Sequence, residues 1–175
     1  EKFNITKHKN IIKDFVHKYP QKKAAICPGA SIKKKRWPLE NFIFVAKFLT
    51  KKKIKPVFFL GPNEQNLLQE IKNEVPLAIF PLQTEIREIT PTHTISFAQK
   101  CIFGVSNDTG CGHLLATANI PLITLFGPTN SCKFQPFNNH KSNFSLSARD
   151  FGKNNDMSNI PIKSVIDLIN NNLIL

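Results

Sequence analysis

Arginine is scarce in this chain: it supplies 3 of the 24 basic residues, the other 21 being lysine, against 12 Asp and Glu. The resulting net charge of +12 raises the local concentration of polyanions such as nucleic acid or an anionic membrane face. Lys, Asn and Ile together make about a third of the residues, the signature of an A/T-rich coding bias, so part of the charge is compositional and no specific nucleic acid is expected. Long apolar runs are missing as well. The apolar stretches are strand-sized, such as residues 24–27, which excludes a spanning helix. No CxxC occurs among Cys27, Cys101, Cys111 and Cys132, and no signal-like segment precedes them, so free thiols in a reducing, cytoplasmic setting are expected. Cys111, His113, Cys132 and His140 match no regular zinc spacing, and buried small thiols are the simpler account, so no metal is expected. GxxxxGK[ST], GxGxxG and GxSxG are all absent.

What is present is 175 residues with 41% hydrophobic content, enough for one compact domain. Residues 1–23 are lysine-dense, with Ile11, Ile12, Phe15 and Val16 at helical spacing; they predict a peripheral basic helix or linker before a domain over 24–175. Continuous apolar runs at 24–27, 56–60 (PVFFL), 102–106 (IFGVS) and 122–126 (LITLF), with a shorter one at 77–80, predict buried strands. Between them, apolar residues recur at i, i+3, i+4 and i+7 over 39–53, and helical patterns run over 64–74, 96–100, 112–119 and 162–173. Residues 85–89 look helical, with Pro91 expected to interrupt the stretch after them. Residues 130–160 are polar, without clear periodicity, and are expected to form a long loop. Strands alternating with helices give an α/β fold, a Rossmann-like parallel sheet with helices on both faces.

Ligands of such sheets bind at the carboxyl ends of the strands. Residues 106–114 (SNDTGCGHL) are a strand-to-helix turn with little side-chain bulk, whose exposed amides and helix dipole suit a diphosphate. His113 stands on the first helical turn, able to donate to a phosphate oxygen, and Asp108 fits a helix N-cap. The same turn also reads as nothing more than a well-capped helix start. Lys33, Lys34, Lys35 and Arg36 follow the first strand, near Ser31, and can neutralise a diphosphate leaving group. Four cations are too many for one diphosphate, so at most two would touch it; a solvated lysine loop or a patch for anionic lipid is the alternative. Glu64, after the second strand, can accept from ribose hydroxyls or simply favour a helix N-terminus.

Taken in order, Pro28-Gly29-Ala30-Ser31, Lys35-Arg36-Trp37-Pro38, Gly61-Pro62-Asn63-Glu64, Ser106-Asn107-Asp108-Thr109-Gly110 with His113-Leu114, and Phe126-Gly127-Pro128-Thr129 resemble glycosyltransferase family 9, the ADP-heptose:lipopolysaccharide heptosyltransferases. The resemblance implies the C-terminal, donor-binding half of an inverting GT-B enzyme of lipopolysaccharide core synthesis. It implies Ser31, Lys35, Asp108, Thr109, Gly110 and His113 at the donor diphosphate and Glu64 at the ribose. It implies a nucleotide-sugar substrate, no cofactor or metal, and a glycolipid acceptor met through an N-terminal domain, with peripheral contact at the inner face of the inner membrane. The family's general base lies in that N-terminal domain, for which there is no room before Ala24, so no catalytic residue is assigned and the chain alone is expected to be an incomplete enzyme. The rival expectations are a stand-alone nucleotide-binding module without chemistry and a basic domain for nucleic acid or anionic lipid.

Overall fold

The computed structural model describes residues 5–136 and 142–173; His140 lies outside them. The chain opens with α1 (Ile5–Lys18), then β1 (Lys23–Cys27), α2 (Leu39–Lys51), β2 (Lys55–Phe58), α3 (Leu67–Glu74), α4 (Pro81–Thr84) and α5 (Pro91–Ala98). It continues through β3 (Phe103–Asn107), α6 (Gly110–Thr117), β4 (Leu122–Phe126), α7 (Ser131–Phe134), β5 (Asn143–Ser147) and α8 (Ile162–Asn172). All strand pairs are parallel, in the order β2-β1-β3-β4-β5. The expected α/β class, with a parallel sheet covered by helices on both faces, is therefore what the chain forms.

Burial on both faces explains why the strands read as unbroken apolar runs. Ala24, Ile26, Phe58, Val105, Ile123 and Leu125 face one core with α2 and α8, which contribute Phe42, Val45, Leu49, Val165 and Ile169. Ala25, Cys27, Val57 and Leu122 face the other, with Phe15 of α1, Phe97 of α5 and Leu115 of α6. Phe15 is fully buried edge-on to Phe97, and Lys18 of α1 pairs with Glu85 at 2.8 Å. The ammonium of Lys23 is itself buried. It donates to the carbonyls of Tyr19 and Gln21, joining the end of α1 to the start of β1.

Four expectations need correction. The 130–160 segment holds a strand: β5 pairs with β4 over its whole length, burying Phe144 and Leu146 partly against the α2/α8 core. Residues 77–80 make only an isolated bridge, Ile79 to Val57. Pro91 starts a helix instead of interrupting one. It occupies the first turn of α5, where a missing N–H costs nothing, and Thr90 caps that turn by accepting from the His93 amide. Residues 85–90 are not helical.

Connections from β1 and β3 diverge. The loop after β1 leads to α2 on one face, whereas the loop after β3 leads to α6 on the other. The crevice between the carboxyl ends of these adjacent strands is thus a topological switch point.

Candidate functional site

Both loops at the switch point are fixed by Asn107, the last residue of β3 and fully buried. Its amide nitrogen donates to the Pro28 carbonyl at 2.8 Å, and its Oδ1 accepts from the Trp37 backbone N–H at 3.1 Å. Trp37 is buried too, its indole N–H donating to the Ile160 carbonyl at 3.0 Å and its ring meeting Phe42 edge-on at 5.1 Å. The β1–α2 loop is therefore pinned at both ends. Its middle, a 3-10 turn over Lys33–Lys35, is free to carry cations.

Of those cations, Lys33, Lys34 and Arg36 are exposed, while Lys35 is half-buried. The Lys35 ammonium reaches across the crevice to Asp108 Oδ2 at 2.8 Å, which also accepts from the Thr129 hydroxyl at 2.6 Å. Asp108 is only 5% exposed, so this pair locks the side chain of Lys35 to the head of α6. An ammonium has three donors, and one is used here, leaving two for a ligand. Asp108 is not the helix N-cap expected of it. Its own amide still bonds to Leu125 of the sheet, one residue too early, and Thr109 takes the cap, accepting from the Gly112 amide at 3.2 Å.

Glycines at the turn divide by what surrounds them. A side chain on Gly112 would collide with Ser106 and come within 3.0 Å of the Asn107 carbonyl, so glycine there lets α6 sit down on β3. A Cβ on Gly110 would meet no atom within 4 Å, and the residue is exposed. Packing does not require a glycine at that position. His113 is exposed on the same first turn, its amide bonding to the Thr109 carbonyl. Ser31 is exposed in the bend before the lysine turn.

Glu64 closes the β2 side. It ends a 3-10 turn over Pro62–Glu64, and α3 begins only at Leu67, so it does not cap that helix. Its carboxyl folds back over the strand ends: a Cβ on Gly29 would lie 2.6 Å from the carboxyl carbon, and one on Gly61 would lie 2.7 Å from Oε2. Two glycines make room for this acid. The structure brings Lys35 to Asp108 at the head of α6, where Thr109, Gly110 and His113 also stand, and sets Glu64 beside the end of β1, while Ser31 makes no side-chain hydrogen bond to any of them among the described residues. An adjoining cleft of about 1060 Å³ is lined by Lys33, Lys34, Arg36, Trp37, Leu39 and Met157, among others, but not by Lys35, Asp108 or Gly110. Asn107, which anchors the β1–α2 loop, and Thr129, which donates to Asp108, are not singled out from the sequence, although both stand inside the motifs that carry the family resemblance.

The sequence model of glycosyltransferase family 9 (heptosyltransferase) matches residues 1–161. This chain belongs to glycosyltransferase family 9. The family 9 chain is 28% identical over 106 residues to lipooligosaccharide heptosyltransferase 2 of Haemophilus influenzae, covering 59% of itself and 31% of that protein. It superposes on E. coli ADP-heptose LPS heptosyltransferase II with a TM-score of 0.75 at 19% identity, covering 97% of this chain and 51% of the other. With E. coli heptosyltransferase WaaC bound to ADP the TM-score is 0.72 at 19% identity, covering 91% and 48%. A family 9 glycosyltransferase of Veillonella parvula gives 0.79, also at 19%, covering 97% and 52%. The chain spans about half the length of these solved relatives. Among its described residues no helix is long and apolar enough to cross a membrane.

Proposed function

We propose that this chain is the donor-binding half of an inverting, heptosyltransferase-like glycosyltransferase of lipopolysaccharide core synthesis, with an ADP-heptose-like nucleotide sugar as its ligand. The observation that carries the reading is the Lys35 ammonium held 2.8 Å from Asp108, two residues before Gly110, the first residue of α6, where a Cβ would meet no atom within 4 Å. The diphosphate approaches where Gly110 leaves space. Free amides of the first turn of α6 and the two remaining donors of Lys35 meet it, with His113 and Ser31 at its edge. Glu64 accepts from the ribose hydroxyls.

In this reading transfer is a direct displacement. An acceptor hydroxyl oxygen forms its bond to the anomeric carbon on the face opposite the diphosphate, the carbon–oxygen bond to the diphosphate breaks, and ADP leaves. The charge that develops on the departing phosphate is what Lys35 and the α6 dipole stabilise, so no metal is invoked. The glycolipid acceptor, the base that takes its proton and any contact with the inner membrane face are assigned to no residue of this site.

Titration calorimetry with ADP and with UDP tests the proposal. ADP should bind in preference to UDP, and Lys35→Ala should weaken it by about 1.5–3 kcal/mol, the worth of a charge-assisted hydrogen bond. Thermal unfolding of the variant separates this loss from a loss of fold. If the folded chain binds neither nucleotide at millimolar concentration, the donor-binding reading is wrong.

A further inference from the structure

Beneath the crevice lies a pair of thiols that donor binding does not use. Cys27 is the last residue of β1 and Cys111 the second of α6, and their sulfurs are 2.7 Å apart across 84 positions of sequence. Disulfide sulfurs stand about 2.03–2.05 Å apart, so less than about 1 Å of approach separates this contact from a covalent bond. Gly112 explains why the thiols meet: it lets the first turn of α6 lie on Ser106, the partner of Cys27 across the sheet. The two sulfurs differ in access. Cys27 is fully buried, whereas Cys111 is half-buried and follows the exposed Gly110.

We propose that Cys27 and Cys111 are a redox modification site, in which a hydroperoxide oxidises Cys111 and Cys27 closes a reversible disulfide. The Cys111 sulfur attacks a peroxide oxygen, the O–O bond breaks, and the products are a sulfenic acid and, from hydrogen peroxide, water. The Cys27 sulfur then attacks the Cys111 sulfur, the S–O bond breaks, and the hydroxyl leaves with the Cys27 proton as a second water. Two thiols lose two electrons and the peroxide gains them. Burial, with the Cys111 contact, pushes the Cys27 thiol well above its ordinary pKa, which keeps it protonated and leaves the first step to Cys111. A dithiol reductant reverses the bond by exchange.

The consequence for the ligand rests on the proposed donor site. A disulfide draws the first turn of α6 toward β1, moving the amides at Gly110 relative to Lys35, and ADP affinity should fall about tenfold, a change well within calorimetric reach. The test treats the reduced chain with hydrogen peroxide, maps its peptides by mass spectrometry, and titrates both forms with ADP. Expected is a Cys27–Cys111 linked peptide, lost on dithiothreitol treatment, absent from Cys111→Ser and retained in Cys132→Ser. Cys111 driven to sulfinic acid while Cys27 stays a free thiol, or no linked peptide at all, overturns the proposal. A linked chain that binds ADP as the reduced chain does overturns the coupling to the donor site. If the reduced chain binds no ADP, the donor reading fails, and the peptide map still decides the redox pair.

Discussion

Substituting Gly110 by alanine separates what the fold needs from what a ligand needs. Gly110 is the first residue of α6, its φ is not positive, and a methyl group there meets nothing within 4 Å. Alanine should therefore fit without strain and stabilise the fold by about 0.4–1 kcal/mol, by narrowing the unfolded ensemble. If the donor diphosphate binds over the α6 amides as proposed, it would meet that methyl. Displacing or lengthening one charge-assisted hydrogen bond there costs about 1.5–3 kcal/mol, or about ten- to a hundredfold in ADP affinity. Gly112→Ala is the contrasting case. Its methyl presses on Ser106 and the Asn107 carbonyl, both buried, so overpacking should cost about 1–3 kcal/mol of stability. Thermal unfolding and ADP calorimetry on the two variants give the comparison. Gly110→Ala binding ADP as tightly as the parent would refute the placement of the diphosphate over this turn, and its melting lower would refute the absence of a packing role for Gly110.

Further expectations concern the loop anchors and the interface of α1 with α5. Asn107→Ala leaves the Pro28 carbonyl and the Trp37 amide without their buried partner, which should cost about 1–3 kcal/mol for each stranded group and weaken ADP binding by releasing the loop that carries Lys35; unchanged chemical unfolding would contradict this. His8 and His93 have rings 4.9 Å apart, bonded to Ser96 and Thr90, and burial holds both pKa values below the ordinary 6.5, with mutual repulsion adding at His93 and Glu88 opposing it. The unfolded chain then binds protons first as pH falls, so stability is full above about 6.5 and declines below it. Melting temperature followed over that window should drop, and less steeply in His93→Asn; an identical slope in that variant would rule the pair out as the cause.

Much of this architecture is legible in the sequence because both faces of the sheet are buried. Runs such as IFGVS and LITLF need no alternation when every residue has a core to enter, and four strands lie within one or two residues of their apolar runs. At β5 the same rule misleads: on the edge it shows Phe144 and Leu146 between Asn and Ser, a period-two pattern too short to stand out from the polar stretch around it. Lys35, Glu64 and the Asp108 turn are legible as a set because strand order alone brings their loops to one end of the sheet. What sequence could not supply is the direction of individual side chains. Whether Asp108 caps α6 or turns to Lys35 depends on where β3 ends, a matter of one residue. The approach of Cys27 to Cys111 depends on the seating of a helix and has no trace in spacing.

The lysine turn leans on a part of the chain far from it in sequence. The Lys34 carbonyl and Met157 both crowd Gly127, close enough that a Cβ there would lie 2.9 Å from the carbonyl oxygen and 2.8 Å from the Met157 sulfur, and the Trp37 indole hangs from Ile160. The residues around 157–160 therefore act as a buttress behind the hand that Lys35 extends. Sequence drift in that buttress would register as a change in how far Lys35 can reach, so the grip on a ligand and the integrity of the chain's last fifth are inherited together.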